Sequence, residues 1–252
     1  MKIIGLVGPK GAGKDTVFEI LQELKKSDGK LSFALPLKQI CAHVFDLNNY
    51  HMNDPVGKER PFETPITLTN RNLRAVKNAC TEYLDPLSKD GAQYLYNPNK
   101  ASVSGLEGRV MSSPRELLQV IGTDFIRNQL FQDWHLHAAF TPRALKQVSQ
   151  DGVYCVTDIR FLNEYQFLVD KFGDDFTCYY VDRPEAEERL ATATHASELE
   201  SQKIKALIPE ENIIKNDGTM KELTETLKAL KIDRPDPSQK PKKGSRFKYG
   251  KA

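Results

Sequence analysis

The stretch that most restricts what this chain can fold into is Gly8–Lys14, GPKGAGK, which reads G-x-x-x-x-G-K. It follows an apolar run, Lys2–Val7, and precedes a segment in which Val17, Ile20, Leu21 and Leu24 recur at helical spacing. A strand, a glycine turn and a helix in that order gather backbone N–H groups and a helix N-terminus around an anion. In such a loop the lysine, here Lys14, reaches the β- and γ-phosphates of a nucleotide.

The pattern departs at the next position. The general rule places Ser or Thr after the lysine, because that hydroxyl binds Mg²⁺; here Asp15 stands there and Thr16 follows. A carboxylate is a good Mg²⁺ ligand, directly or through a water. On one reading Asp15 replaces the hydroxyl and Thr16 contacts the α-phosphate. On the other, Asp15 only favours the helix N-terminus and Thr16 serves the metal.

A second constellation follows the run Val153–Thr157, VYCVT, which has the near-continuous apolar character of a parallel strand buried on both faces. Ligands of open parallel sheets bind at the carboxyl ends of strands. Asp158 is therefore placed to hold Mg²⁺ or a metal-bound water, and Arg160 to neutralise charge on a transferring phosphoryl group. Glu164, four residues on, can orient that arginine. An Asp–Arg surface pair at a strand end is the plainer alternative.

The rest of the chain alternates strands and helices. Leu31–Leu35, Thr177–Val181 and Asn212–Lys215 read as strands; Pro36–Phe45, Leu73–Leu84, Asn163–Phe172 and Met220–Leu230 read as helices. Ser113 caps a helix beginning at Pro114, with Glu116 at its third position and Gly122 as a break or a close approach. Glu185–Leu207 is charged and helical. This alternation predicts an α/β fold, three layers α/β/α around a mostly parallel sheet. Lys38, Arg60, Arg115, Arg183 and Arg189 are further candidate phosphate ligands, although each alone reads more simply as a solvated charge.

Five stretches in order carry a resemblance: GPKGAGKDT, FALPLK, PRELLQVIGTDF with the later Trp134, VTDIRFLNE and IIKNDGTMKEL. Together they resemble the bacteriophage deoxynucleoside monophosphate kinases, a branch of the P-loop nucleoside monophosphate kinases. Residues 46–112 contribute little to it. Asp15 departs from the general loop rule but not from that family.

The resemblance implies a kinase domain over 1–232, with an acceptor-binding insertion at 46–112 and a lid at about 184–208. It implies transfer of the γ-phosphoryl of ATP, with Mg²⁺, to a deoxynucleoside 5′-monophosphate, supplying phage DNA synthesis. Carried onto this chain, the donor site is Lys10, Gly11, Gly13, Lys14, Asp15 and Thr16, with Asn216 and Asp217 bordering the adenine. Metal falls to Asp15, Thr16 and Asp158. The acceptor site is Lys38, Arg60, Arg115, Gln119, Gly122, Thr123 and Trp134, with Arg160 and Glu164 where the substrates meet. Lys14, Asp15, Arg115, Asp158 and Arg160 would carry the chemistry. Trp134 either stacks on a base or sugar, or packs in a core. The family also suggests a homodimer.

Composition bounds the alternatives. No apolar run approaches the roughly 20 residues of a membrane span, and no signal peptide is evident, so a cytoplasmic protein is expected. The four cysteines form no C-x-x-C pair; Cys155 and Cys178 sit in apolar strand-like runs. His135 and His137, two apart on a helix, point to different faces and make a poor metal pair. Residues 233–252 hold seven Lys/Arg against two Asp. That tail reads as disordered, either solubilising or weakly attracted to a polyanion. Two other functions fit the glycine loop: a kinase of a coenzyme precursor or isoprenoid phosphate, and a nucleic-acid-dependent NTPase.

Overall fold

A computed structural model describes residues 1–88, 105–191 and 196–233. The basic tail beyond 233, residues 192–195 of the expected lid and the side chain of Arg189 lie outside the described residues. The chain divides into two compact units, Met1–Lys30 with the chain from Val148 onward, and Leu31–Gln147. The second takes in the expected 46–112 insertion and the helices on either side of it.

The first unit is built on five strands: β1 (Lys2–Val7), β2 (Gly29–Leu31), β5 (Val153–Val156), β6 (Phe176–Asp182) and β7 (Ile213–Lys215). Their order across the sheet is β2-β5-β1-β6-β7. β1 runs parallel to β5, with Ile4 opposite Cys155, and parallel to β6, with Ile4 opposite Thr177; β6 and β7 are also parallel.

Side chains alternate across the strands. Ile4 and Leu6 join Val17, Ile20 and Leu21 of α1 (Lys14–Glu23) and Leu223 and Leu227 of α11 (Met220–Ala229) in one core. On the opposite face α8 (Leu162–Phe172) packs against β1 and β6. Helices on both faces of a mostly parallel sheet make the three-layer α/β/α fold of the P-loop kinases. Cys155 and Cys178 are buried, as their apolar setting predicts. The Lys26 ammonium donates to the Lys228 and Leu230 carbonyls at the end of α11, 2.6 and 2.5 Å away; a cation there complements the helix dipole and satisfies carbonyls the helix leaves open.

The second unit holds α2 (Leu35–Val44), α3 (Asn49–Asn53), α4 (Pro55–Glu59), α5 (Asn70–Ser88), α6 (Pro114–Gln119) and α7 (Trp134–Ala138), with a two-residue antiparallel pair, β3 (Ile66–Thr67) and β4 (Val110–Met111). Leu73, Val76, Cys80, Tyr83 and Leu84, which recur about once per turn along α5, enter its core with Leu117, Ile121, Phe125 and Trp134. Ser113 caps α6 as expected, its Oγ accepting the Glu116 N–H at 3.3 Å.

One local expectation changes, and two are made specific. The strand expected at Leu31–Leu35 stops at Leu31, because Ser32 turns the chain. Its Oγ accepts the Ala34 N–H at 3.1 Å and its carbonyl the Leu35 N–H at 3.2 Å, a local bond that competes with a strand ladder. Gly122 does not break its helix: Val120–Leu130 continues α6 as a π-helix. A β-carbon at Gly122 would lie 2.7 Å from Leu37 Cδ2, so the glycine serves close packing. The charged segment after β6 is helical over its described residues, as α9 (Pro184–Ala191) and α10 (Ala196–Lys205).

Candidate active site

The glycine loop leaves the end of β1 and turns straight into α1. Gly13 caps that helix with φ 93°, a left-handed conformation that an L side chain adopts only at a cost. Its backbone also passes close to Asn216, whose Nδ2 would lie 2.5 Å from a β-carbon there. The first N–H groups of α1 have no partner within the helix.

Lys14 turns back over the loop. Its ammonium donates to the Gly8 and Pro9 carbonyls at 2.6 and 2.9 Å. Burial, and next the Arg160 guanidinium, lower its pKa to about 8, against an opposing pull from Asp15. Lys14 and Arg160 are thus near enough to repel, which is the arrangement a polyanion relieves.

Asp15 is largely exposed on the first turn of α1. One carboxylate oxygen, Oδ1, accepts from the Lys30 ammonium on β2 and from the Thr157 hydroxyl at 3.3 Å. Burial works to raise its pKa, but Lys30, Thr157 and Lys14 outweigh that and hold it below the usual carboxylate value. Thr157 is buried directly after β5 and immediately before Asp158. One hydroxyl therefore ties the loop acid to the strand end that carries the second acid. Sequence reading missed both Lys30 and Thr157. Only the position of Thr157 beside Asp158 signalled it; Lys30 had no signal.

Glu164 is buried at the start of α8. Its Oε2 accepts the backbone N–H groups of Arg160 and Phe161 at 2.7 and 3.1 Å. Its hold on Arg160 runs through the main chain, as a capping carboxylate. Asn216 does not stand apart from the loop: its amide donates to the Ala12 carbonyl at 2.8 Å, and its own N–H reaches the Asp182 carbonyl at 2.8 Å. Lys10, Gly11 and Asp217 are exposed, and Thr16 is half-buried.

In the second unit, Arg115 at the start of α6 pairs through Nε with Glu59 on α4, which brings it beside Arg60, the residue that caps α4. Gln119 lies one turn beyond Arg115; it and Thr123 are exposed. Lys38 on α2 donates to Asn53 at 3.0 Å. Arg60 also lines a cleft of about 510 Å³ with Tyr50, His51 and Phe62. Trp134 is corrected: it is 1% exposed and its indole N–H donates to the Cys80 carbonyl at 3.1 Å. It has no surface to offer a base or a sugar, and packs in the core. His135 meets Arg127 and the Phe33 ring, while His137 stacks on Phe131.

Among the described residues no helix is long and apolar enough to cross a membrane. No curated protein matches the chain significantly. A family model, that of deoxynucleotide monophosphate kinase, matches residues 2–227. With nine-tenths of its length inside that match, the chain belongs to the deoxynucleotide monophosphate kinase family.

Proposed function

We propose that this kinase transfers the γ-phosphoryl group of ATP to a deoxynucleoside 5′-monophosphate, giving the diphosphate and ADP, and that it supplies precursors for phage DNA synthesis. The observation that carries the reading is the glycine loop between β1 and α1, with left-handed Gly13 opening the helix and the Lys14 ammonium folded back onto the Gly8 and Pro9 carbonyls, where the Arg160 guanidinium lowers its pKa further. Two cations held together at a cost favour a ligand with several negative charges.

The residues fit Mg²⁺. The available donors are hard oxygens: the Asp15 and Asp158 carboxylates and the Thr16 hydroxyl. Among the described residues no three His, Cys, Asp or Glu side chains form a complete cage. Mg²⁺ at phosphoryl-transfer sites commonly takes one or two carboxylates and completes its shell with waters and phosphates. When bound, held by Asp15, Asp158 and Thr16, it would neutralise phosphate charge.

The chain's own residues do the rest. Lys14 exchanges the Gly8 and Pro9 carbonyls for phosphate oxygens, and the α1 N-terminus receives the β-phosphate. Arg160, held by Glu164, offsets charge on the moving phosphoryl group. Lys38, Arg60 and Arg115 are the acceptor-phosphate ligands in this reading. Phosphoryl transfer depends on such positioning and neutralisation more than on covalent catalysis.

A coupled ADP-release assay with ATP, four deoxy- and four ribonucleoside monophosphates tests it. The expected result is release that requires a deoxynucleotide and is lost in Lys14→Ala. Release indifferent to the acceptor, or unchanged in that variant, overturns the reading.

A further inference from the structure

The Asp15–Lys30 pair is the contact at the glycine loop that nucleotide chemistry alone does not call for. Both of Asp15's protein partners, the Lys30 ammonium and the Thr157 hydroxyl, sit on Oδ1. Among the described residues Oδ2 has no protein partner. Thr157 is buried and fixed to the end of β5, so it sets the carboxylate's orientation. Lys30 differs: its side chain is 38% exposed, its ammonium lies 5.7 Å from the centre of the Phe18 ring, and its long chain can swing.

Taking the proposed Mg²⁺–ATP chemistry as given, we propose that Lys30 is an internal cation that occupies Asp15 and makes the acid selective for a metal–nucleotide complex over a free divalent ion. The argument is one of charge exchange. A bare divalent cation that binds at Oδ2 is repelled by the Lys30 ammonium on Oδ1, and one that displaces Lys30 leaves that ammonium without a counter-charge beside another cation. A metal–triphosphate complex that displaces it brings its own anions, and Lys30 transfers from the carboxylate to a phosphate oxygen. The same swap is disfavoured for the ion alone and favoured for the complex. Lys30 is thereby also a donor-phosphate ligand.

The test uses Mn²⁺ in place of Mg²⁺, with bound ion read by electron paramagnetic resonance on the full-length protein. Wild type, Lys30→Met and Asp15→Asn are compared with Mn²⁺ alone and with Mn²⁺–ATP; Met is an unbranched side chain of similar length without the charge. Lys30→Met should bind free Mn²⁺ about two- to five-fold more tightly than wild type, the range that exposed ion pairs span, and should bind Mn²⁺–ATP more weakly. The double variant Asp15→Asn/Lys30→Met should lose the gain. Free Mn²⁺ binding that is unchanged or weaker in Lys30→Met overturns the inference. If Asp15→Asn binds Mn²⁺–ATP as wild type does, Asp15 has no metal role and the metal reading falls with it. If Asp15→Asn loses Mn²⁺–ATP while Lys30→Met changes nothing, only the inference about Lys30 fails.

Discussion

The Asn216 side chain donates to the Ala12 carbonyl at 2.8 Å, joining the end of β7 to the glycine loop across 204 residues of sequence. Gly13 next to it leaves just enough room for that amide to pass. Asn216 is therefore a brace for the loop whether or not it also borders a base. Asn216→Ala removes one hydrogen bond, about 1 kcal/mol, and should raise KM for ATP roughly five-fold. If bracing is its role, KM for GTP rises by the same factor. Steady-state kinetics with both donors separates the roles, because a base contact changes the ATP/GTP ratio.

Lys14 makes the protein's stability and its nucleotide binding depend on pH. Its folded value of about 8 lies below the ordinary lysine value of 10.5, chiefly through burial. Between those pH values the unfolded chain binds more protons at this site than the folded protein does. Stability from this group therefore rises with pH across that window, and below pH 8 the buried charge exerts its full penalty. Lys14→Met should be more stable than wild type at pH 7, with the difference narrowing by pH 10 in urea titrations. Triphosphate oxygens favour the ammonium, so ATP binding near pH 8.5 should take up a proton. Calorimetry in two buffers of different ionisation enthalpy reads that proton, and Lys14→Met should abolish it.

Trp134 should behave as a core residue. Trp134→Ala leaves a large void and removes the indole hydrogen bond to the Cys80 carbonyl, a loss of about 3–5 kcal/mol. Trp134→Phe fills most of the space and should cost less. Wherever the Phe variant is folded, its preference among deoxynucleotide bases should equal that of wild type. A changed preference would show that the ring reaches substrate.

Gly122 should accept a side chain only if the Leu37 methyl facing it shifts. Gly122→Ala places a methyl 2.7 Å from Leu37 Cδ2, and overpacking of this kind costs about 1–3 kcal/mol. Leu37→Val in the same chain should recover part of that loss, since it withdraws the opposing methyl. Chemical denaturation of the two singles and the double gives the coupling directly.

Glu164 should act on catalysis only through Arg160. Glu164→Gln keeps size and one acceptor but weakens the charge-assisted bonds to the Arg160 and Phe161 N–H groups. It should lower kcat several-fold with little change in KM for either substrate. Arg160→Ala, which deletes the guanidinium itself, should cost roughly 10²-fold or more in kcat. Equal losses in the two variants would mean that Glu164 meets substrate directly.

The local half of this protein was legible in its residues. G-x-x-x-x-G-K between an apolar run and a helical pattern places a loop, and VYCVT places a buried strand with an acid at its end. Period, punctuation and capping are short-range signals carried by neighbours in sequence, and Ser113, Pro114 and Glu116 act within a single turn. Where a local competitor was overlooked, as at Ser32, the boundary moved. What the chain could not disclose is which distant groups meet. Lys30 and Thr157 share one oxygen of Asp15, Asn216 braces Ala12, and Trp134 turns its indole to Cys80 rather than to solvent. Each of those contacts joins residues 15 to 204 positions apart, and their meeting depends on sheet order and helix packing, which a linear pattern of residue types does not encode. Tertiary structure decided them because burial and hydrogen bonding act on distance in space, where separation along the chain counts for nothing.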